Sequence, residues 1–294
     1  MCLWAILELF ICIFLLSNTY ITSIYIKNID FILIISQDIW MKVTEKKYYE
    51  AYLEKIGSQI DTLIKDFDFS KENGDFEYLT KASAVFSSNI EGNSIDLNSF
   101  MNYELNKEKI KAGKEIDEIE NLIEAYNFAQ NNSLTEANML GCHKTLAETL
   151  LIESKRGQYR NEPVGVFGQS GLAYLAIEPQ YVDAKMNELF VGIDELLKSE
   201  LSKPEAFYFA SLIHLIFVHI HPFSDGNGRV ARLIEKWFLA EKLGKDFWRI
   251  PSEEYYKNNL QEYYSSINLG VNYYELDYDN CIDFLTMLPN SLKS

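Results

Sequence analysis

The 294-residue sequence predicts an all-α fold that carries one β-hairpin. Three observations lead there. From Thr44 onward apolar residues return at spacings of three and four; strand-like alternation is confined to one stretch, Val164 to Ile177; and 48% of residues are hydrophobic against 24% charged, the balance of a chain that buries a core. No repeat, low-complexity tract or Pro/Gly-rich linker divides the sequence. The parse is therefore an apolar segment 1–40, a helical N-terminal region 41–130 and a main domain 131–294.

The first forty residues differ from the rest. An apolar run, MCLWAILELFICIFLLS, precedes the β-rich stretches YITSIYI and FILIIS, and the charges before Ser36 are Glu8, Lys27 and Asp30. Glu8 interrupts the run and no Lys or Arg precedes it, so two readings stay open. Either residues 1–36 anchor the protein in a membrane, or translation starts at Met41, whose MKVTEKKYYEAYLEK is an ordinary polar opening to a helix. Helices are then predicted over roughly 44–66, 76–91, 96–111, 115–131, 134–151, 179–200, 204–220, 228–243, 252–268 and 278–288. Within Val164–Ile177, VGVF and LAYLAI flank Gly168-Gln169-Ser170-Gly171, a hairpin turn. An isolated two-stranded hairpin is marginal, so this one either packs on the body or awaits a third strand, and it is a candidate docking edge.

Charge and cysteines narrow the function classes. A formal charge of −16 repels nucleic-acid phosphates, so no nucleic-acid partner is expected. Cys2, Cys12, Cys142 and Cys281 form no CxxC pair, which suits a reducing, cytoplasmic compartment, with membrane anchoring through residues 1–36 as the alternative.

The chemistry concentrates between Pro204 and Leu243: PEAFYFASLIHLIFVHI, then HPFSDGNG, then RVARLIEKWFLAEKL. The first helix is apolar nearly all round and should be buried, and Pro222 pushes His221 out of the α region, ending it. Phe223 is the one large apolar residue of the loop and should plug it into the core. Gly226-Asn227-Gly228 opens the next helix and presents free N–H groups, an anion site suited to phosphate. Arg229 and Arg232 share one face of that helix's first turn, where the macrodipole disfavours cations, so an anion should compensate them. A polyphosphate would do so. Asp225 suits a Mg²⁺ bridging phosphate oxygens, and His221 titrates where it can take a proton from a hydroxyl. The constellation reads as nucleotidyl or phosphoryl transfer. His214 and His219, on the apolar helix, read as core histidines. Zinc lacks a third strong ligand, and the Gly-Asn-Gly loop lacks the GK[S/T] ending of a P-loop.

His221 to Arg232, HPFSDGNGRVAR, resembles the Fic motif, HPFxDGNGRxxR with Asp or Glu at its fifth place, at every fixed position. The resemblance covers Asn131 to about Leu288 and implies a Fic helical bundle with a β-hairpin flap; the lead-in Gly157-Gln158-Tyr159-Arg160 resembles the approach to that flap. It further implies that His221 is the general base, that Asp225 holds Mg²⁺, and that Phe223, Gly226, Asn227, Gly228, Arg229 and Arg232 form the ATP site. The flap residues Val166, Phe167, Gly168, Gln169, Ser170 and Gly171 would dock a target protein, whose Ser, Thr or Tyr receives AMP. Upstream, Ser87-Ser88-Asn89-Ile90-Glu91-Gly92 resembles the Fic inhibitory pattern, Ser or Thr, three residues, Glu, then Gly or Asn. This implies an N-terminal inhibitory helix in which Glu91 pairs with Arg232, with Ser87 one turn earlier on the same face. Gly92 also reads as a helix C-cap. Removal of AMP, transfer of another phosphate-containing group, and a non-catalytic nucleotide- or peptide-binding module remain alternatives. The resemblance leaves a homodimer open.

Overall fold

The computed structural model describes residues 41–67, 69, 76–107, 113–168 and 171–293. The apolar segment 1–40 and the hairpin tip Gln169-Ser170 lie outside the described residues, and so do the expectations placed on them. The body is Met41–Ser294. It is mostly helical with one two-stranded sheet.

The first helix begins later than the sequence predicts. Lys42–Glu45 and Lys46–Tyr49 form turns, and α1, Tyr49–Tyr52, runs through a π-helical turn, Leu53–Gly57, into α2, Ser58–Asp66. Val43 is the reason: it is buried against Gly192, where any Cβ would collide with it, so packing holds the opening residues in turns. α3 is Phe76–Ile90. α4, Leu97–Leu105, is capped by Asp96, which accepts the Ser99 N–H at 2.9 Å; it ends at Asn106, short of the expected 111. α5 is Lys114–Gln130, and α6, Glu136–Leu146, is capped by Thr135.

The hairpin pairs β1, Gly165–Gly168, with β2, Gly171–Leu175, antiparallel, with a bulge between Val166 and Phe167. It packs on the body: the Tyr174 hydroxyl donates to the His219 carbonyl at 2.6 Å, and the Leu175 N–H donates to the Val271 carbonyl at 2.9 Å. Leu175 also forms a single isolated parallel bridge with Asn272.

α7 is Pro179–Lys198. α8, Lys203–Ile220, opens on a full capping box between Ser202 and Glu205 with Pro204 in its first turn. α9 is Asn227–Leu243. The expected helix 252–268 is broken into α10, Ser252–Asn258, and α11, Leu260–Ile267, by Asn259 at φ −115° and ψ 40°. The expected helix near 278–288 is a set of short pieces, among them α12, Ile282–Leu285, and α13, Met287–Asn290.

α8 is the axis of the core. Phe207, Phe209, Leu212, Ile213, Leu215 and Phe217 are buried around its circumference, as an all-apolar helix requires. Burial of each such side chain contributes about 1.5–3 kcal/mol. Against it lie α2, α7, α9, α12 and α13, and α9 in turn touches α3, α5 and α6. α3 also packs on α5 and α10, which carries Ser87 and Glu91 to the start of α9.

Candidate active site

The loop between α8 and α9 is held by its own sequence and by two distant side chains. His221 leaves the right-handed helix as expected but enters the left-handed region, at φ 52° and ψ 60°, rather than the extended one. Its N–H still donates to the Phe217 carbonyl, which ties it to the last turn of α8. Phe223 is fully buried, stacked on the His143 ring with centroids 3.5 Å apart. Asn227 closes the loop: its amide oxygen accepts the Phe223 N–H at 2.8 Å and its Nδ2 donates to the Phe223 carbonyl at 2.9 Å. The Asn227 side chain is thus spent on the loop, and only its backbone faces an incoming group. Gly226, at φ 84°, makes the turn into α9. The N–H groups of Asn227, Gly228 and Arg229, in the first turn, have no partner within the helix.

Arg160, which the lead-in motif includes without a role, and His143, which no motif marks, hold this loop from outside it. Arg160 donates through Nε to the His221 carbonyl at 2.7 Å and through Nη2 to the Ile177 and Ile220 carbonyls, and its N–H donates to the Pro222 carbonyl at 2.9 Å. It ties the base of the hairpin to the backbone that carries His221. His143 Nδ1 accepts the Gly157 N–H at 2.9 Å, so its hydrogen sits on Nε2 and is donated to the Asp225 carbonyl at 3.0 Å. Burial pushes His143 down to about 4, in keeping with this neutral tautomer.

His221 Nδ1 lies 3.2 Å from the Val218 carbonyl. A hydrogen on Nδ1 satisfies that contact and leaves the Nε2 lone pair to accept a proton. Burial lowers His221 to about 4, the Val218 contact opposing, so the ring is neutral near pH 7. Asp225 accepts the Gly226 N–H at 2.6 Å through Oδ1, and its side chain is 52% exposed. A half-exposed carboxylate beside a helix N-terminus fits Mg²⁺, which takes one or two carboxylates and completes its shell with phosphate and water. Among the described residues no group of three His, Cys, Asp or Glu could hold a metal ion.

The two arginines are already neutralised, each by a carboxylate from the N-terminal region. Arg229, expected to face an anionic ligand, is buried and paired through Nη2 with Glu118 of α5, while its Nε has no partner. Glu118 lies on the apolar stripe with Ile119, Leu122 and Ala125, a placement that could have flagged it in the sequence. Arg232 is 0% exposed, and all three of its nitrogens are taken. Nε donates to Ser87 Oγ at 2.9 Å, Nη2 to the Ser87 carbonyl at 3.0 Å and to Glu91 Oε1 at 2.7 Å, and Nη1 to the Tyr263 hydroxyl at 3.1 Å.

Glu91 reaches Arg232 because of how α3 ends. Gly92, at φ 97° with open space around it, takes the left-handed C′ position; its N–H donates to Asn89 and that of Asn93 to Ser88, a Schellman motif. Lys257 and the Tyr264 hydroxyl cap the carbonyls of Asn89 and Ile90 at 2.8 and 2.9 Å. The carboxylate then rests on Gly228, where any Cβ would strike Glu91 Oε1. Burial raises the Glu91 pKa, but Arg232 and Arg229 outweigh it and hold the group below the usual carboxylate range. An anion therefore sits at the helix N-terminus, supplied by the chain itself.

The sequence-predicted residues His221, Phe223, Asp225, Gly226, Asn227, Gly228, Arg229 and Arg232 occupy one loop and the first two turns of the helix after it, and Ser87 and Glu91 join them from the end of α3. Val166, Phe167, Gly168 and Gly171 lie in the two strands of the hairpin. Val166 and Leu172 are exposed, and no helix among the described residues is long and apolar enough to cross a membrane.

Residues 133–239 match the sequence model of the Fic/DOC family. Over 82% of this chain the fold is similar to that of a Fic family protein from Desulfovibrio desulfuricans, at 21% identity and a TM-score of 0.69, covering 73% of that chain. It is similar to a Fic domain containing signaling protein from Bacteroides thetaiotaomicron, at 20% identity and a TM-score of 0.57 over 82% and 94% of the two chains. It is also similar to Fic-1 from C. elegans, at 18% identity and a TM-score of 0.62 over 83% and 71%. At these identities the likeness is one of fold. No curated protein matches the sequence.

Proposed function

We propose that the Fic/DOC domain carried by this chain transfers AMP from ATP to a Ser, Thr or Tyr hydroxyl of a target protein, and that Glu91 restrains the transfer. One observation carries the reading. The Glu91 carboxylate lies on Gly228 and on Arg232, in the place and on the donors that a phosphate would use. A site that attracts its own carboxylate to a helix N-terminus with two buried arginines is built for a polyanion.

In this reading the backbone N–H groups of Asn227, Gly228 and Arg229 hold an inner phosphate, and Arg229 and Arg232 hold the β- and γ-phosphates. His221 Nε2 takes the proton of the target hydroxyl as the oxygen bonds to the α-phosphorus. The bond from that phosphorus to the bridging oxygen breaks, and pyrophosphate leaves. The arriving triphosphate, a concentrated negative charge near His221, raises the base from about 4 toward the working pH. Asp225 would hold Mg²⁺, whose charge neutralises phosphate oxygens. The exposed hairpin offers a strand edge on which a target segment would dock through main-chain hydrogen bonds.

The test uses α- and γ-labelled ATP side by side with a lysate, followed by mass spectrometry of labelled proteins. AMP transfer labels targets from the α-position alone. Label arriving from the γ-position would assign phosphoryl transfer, and no label with Glu91 replaced would favour a binding module.

A further inference from the structure

The contacts of Arg232 divide into two sets. Nε and Nη2 are held by Ser87 and Glu91, at the end of α3, whereas Nη1 is held by Tyr263 of α11. When Glu91 withdraws, its share of the first set is lost. The second set does not depend on α3, and it has its own support. The Tyr263 hydroxyl lies 3.0 Å from His214 Nε2, His214 Nδ1 lies 3.2 Å from Glu235 Oε1, and the Tyr256 hydroxyl lies 3.0 and 2.9 Å from the two Glu235 oxygens. Tyr256, Tyr263, His214 and Glu235 are all buried.

Proton accounting gives this chain a direction. The Tyr263 oxygen accepts from the guanidinium, so its own hydrogen needs an acceptor, and His214 Nε2 is the one in reach. The His214 hydrogen therefore sits on Nδ1, facing Glu235. That contact is off the ideal hydrogen-bond line and acts by charge, fixing the tautomer as a carboxylate does for any imidazole it faces.

We infer that Tyr263, oriented by His214 and Glu235, is the positioning residue that keeps the Arg232 guanidinium aimed at the outer phosphates of the nucleotide once Glu91 has left it. The inference rests on the function proposed above. Glu235 is three residues after Arg232 on α9, so the carboxylate at the far end of this chain of contacts is carried by the same helix as the arginine.

The experiment is isothermal titration calorimetry of ATP and of AMP against Glu91→Gly and against Glu91→Gly/Tyr263→Phe, the latter removing one oxygen and little volume. The expected result is ATP binding about tenfold weaker in the double variant, the loss of one charge-assisted bond, with AMP binding unchanged because AMP lacks the phosphates Arg232 would reach. Unchanged ATP binding, or equal weakening of ATP and AMP, overturns the inference. Should the double variant not fold, His214→Leu and His214→Gln in the Glu91→Gly background replace it. ATP affinity lost with Leu and restored by Gln, which again offers an acceptor to Tyr263, supports the relay, and the same affinity in both overturns it. If Glu91→Gly itself binds no ATP while folded, the proposed function fails first and the inference falls with it.

Discussion

Replacing Glu91 by Gly tests whether the anion at the start of α9 is a brake. The carboxylate gives Arg232 one charge-assisted bond of 2.7 Å, and such bonds contribute about 1.5–3 kcal/mol. A phosphate that competes for that donor gains this amount when Glu91 is gone. At about 1.4 kcal/mol per factor of ten, AMP transfer should rise roughly 10- to 100-fold, self-modification included. Stability should move the other way. Removing one partner of a fully buried pair costs about 3–5 kcal/mol. Here the Glu91 side chain keeps 27% exposure, and Arg232 Nη2 keeps the Ser87 carbonyl. A carboxylate at a helix C-terminus is also unfavourable by about 0.3–1 kcal/mol. A net loss of about 1–2 kcal/mol remains, or roughly 2–8 °C in Tm. ATP at 100 times its Kd should return about 2.7 kcal/mol by supplying the missing anion. The assay is the initial rate of AMP incorporation from α-labelled ATP, with melting curves with and without Mg-ATP, for Glu91→Gly, the parent and Glu91→Gly/Arg232→Ala. The double variant should forfeit the gain. A rate equal to or below the parent's, in folded Glu91→Gly, would refute the reasoning.

His221→Ala should lower transfer about 10²–10⁴-fold while ATP still binds, because the base acts on the incoming hydroxyl; labelling at the parent's rate would remove His221 from that role. Asp225→Ala should raise the Mg²⁺ concentration needed for half-maximal transfer, and an unchanged metal dependence would assign the ion to another ligand. Shortening the Gly168–Gly171 turn should reduce target labelling more than ATP binding, and equal losses would make the hairpin structural. Burial holds His143, His219 and His221 near about 4, below the 6.5 of an unfolded histidine. The unfolded chain therefore binds more protons in that window, and Tm should fall as pH drops from 6.5 toward 4. A Tm that stays flat from 6.5 to 4.5 would show that these rings are not buried neutral.

Much of the candidate site is legible in the sequence because its determinants are local. Pro222 ends α8 by steric exclusion, Gly226 alone suits the left-handed turn into α9, and Gly92 stops α3 with its glutamate one residue earlier. Each of these acts over a few bonds, so twelve contiguous residues place His221, Asp225, Arg229 and Arg232 in one loop and the first two turns of one helix. Among the helix boundaries that failed, packing of Val43 against Gly192 delays α1, and no local signal announced the break at Asn259. The resemblance alone pointed to one long-range meeting, Glu91 with Arg232 across 141 residues, and only the tertiary structure decided the others: Glu118 finds Arg229 from 111 residues away. His143 slides under Phe223, and Arg160 holds the His221 carbonyl. Periodicity marks the inward face of a helix but not which partner that face will meet, and buried polar groups find their mates only when helices distant in sequence close on one core.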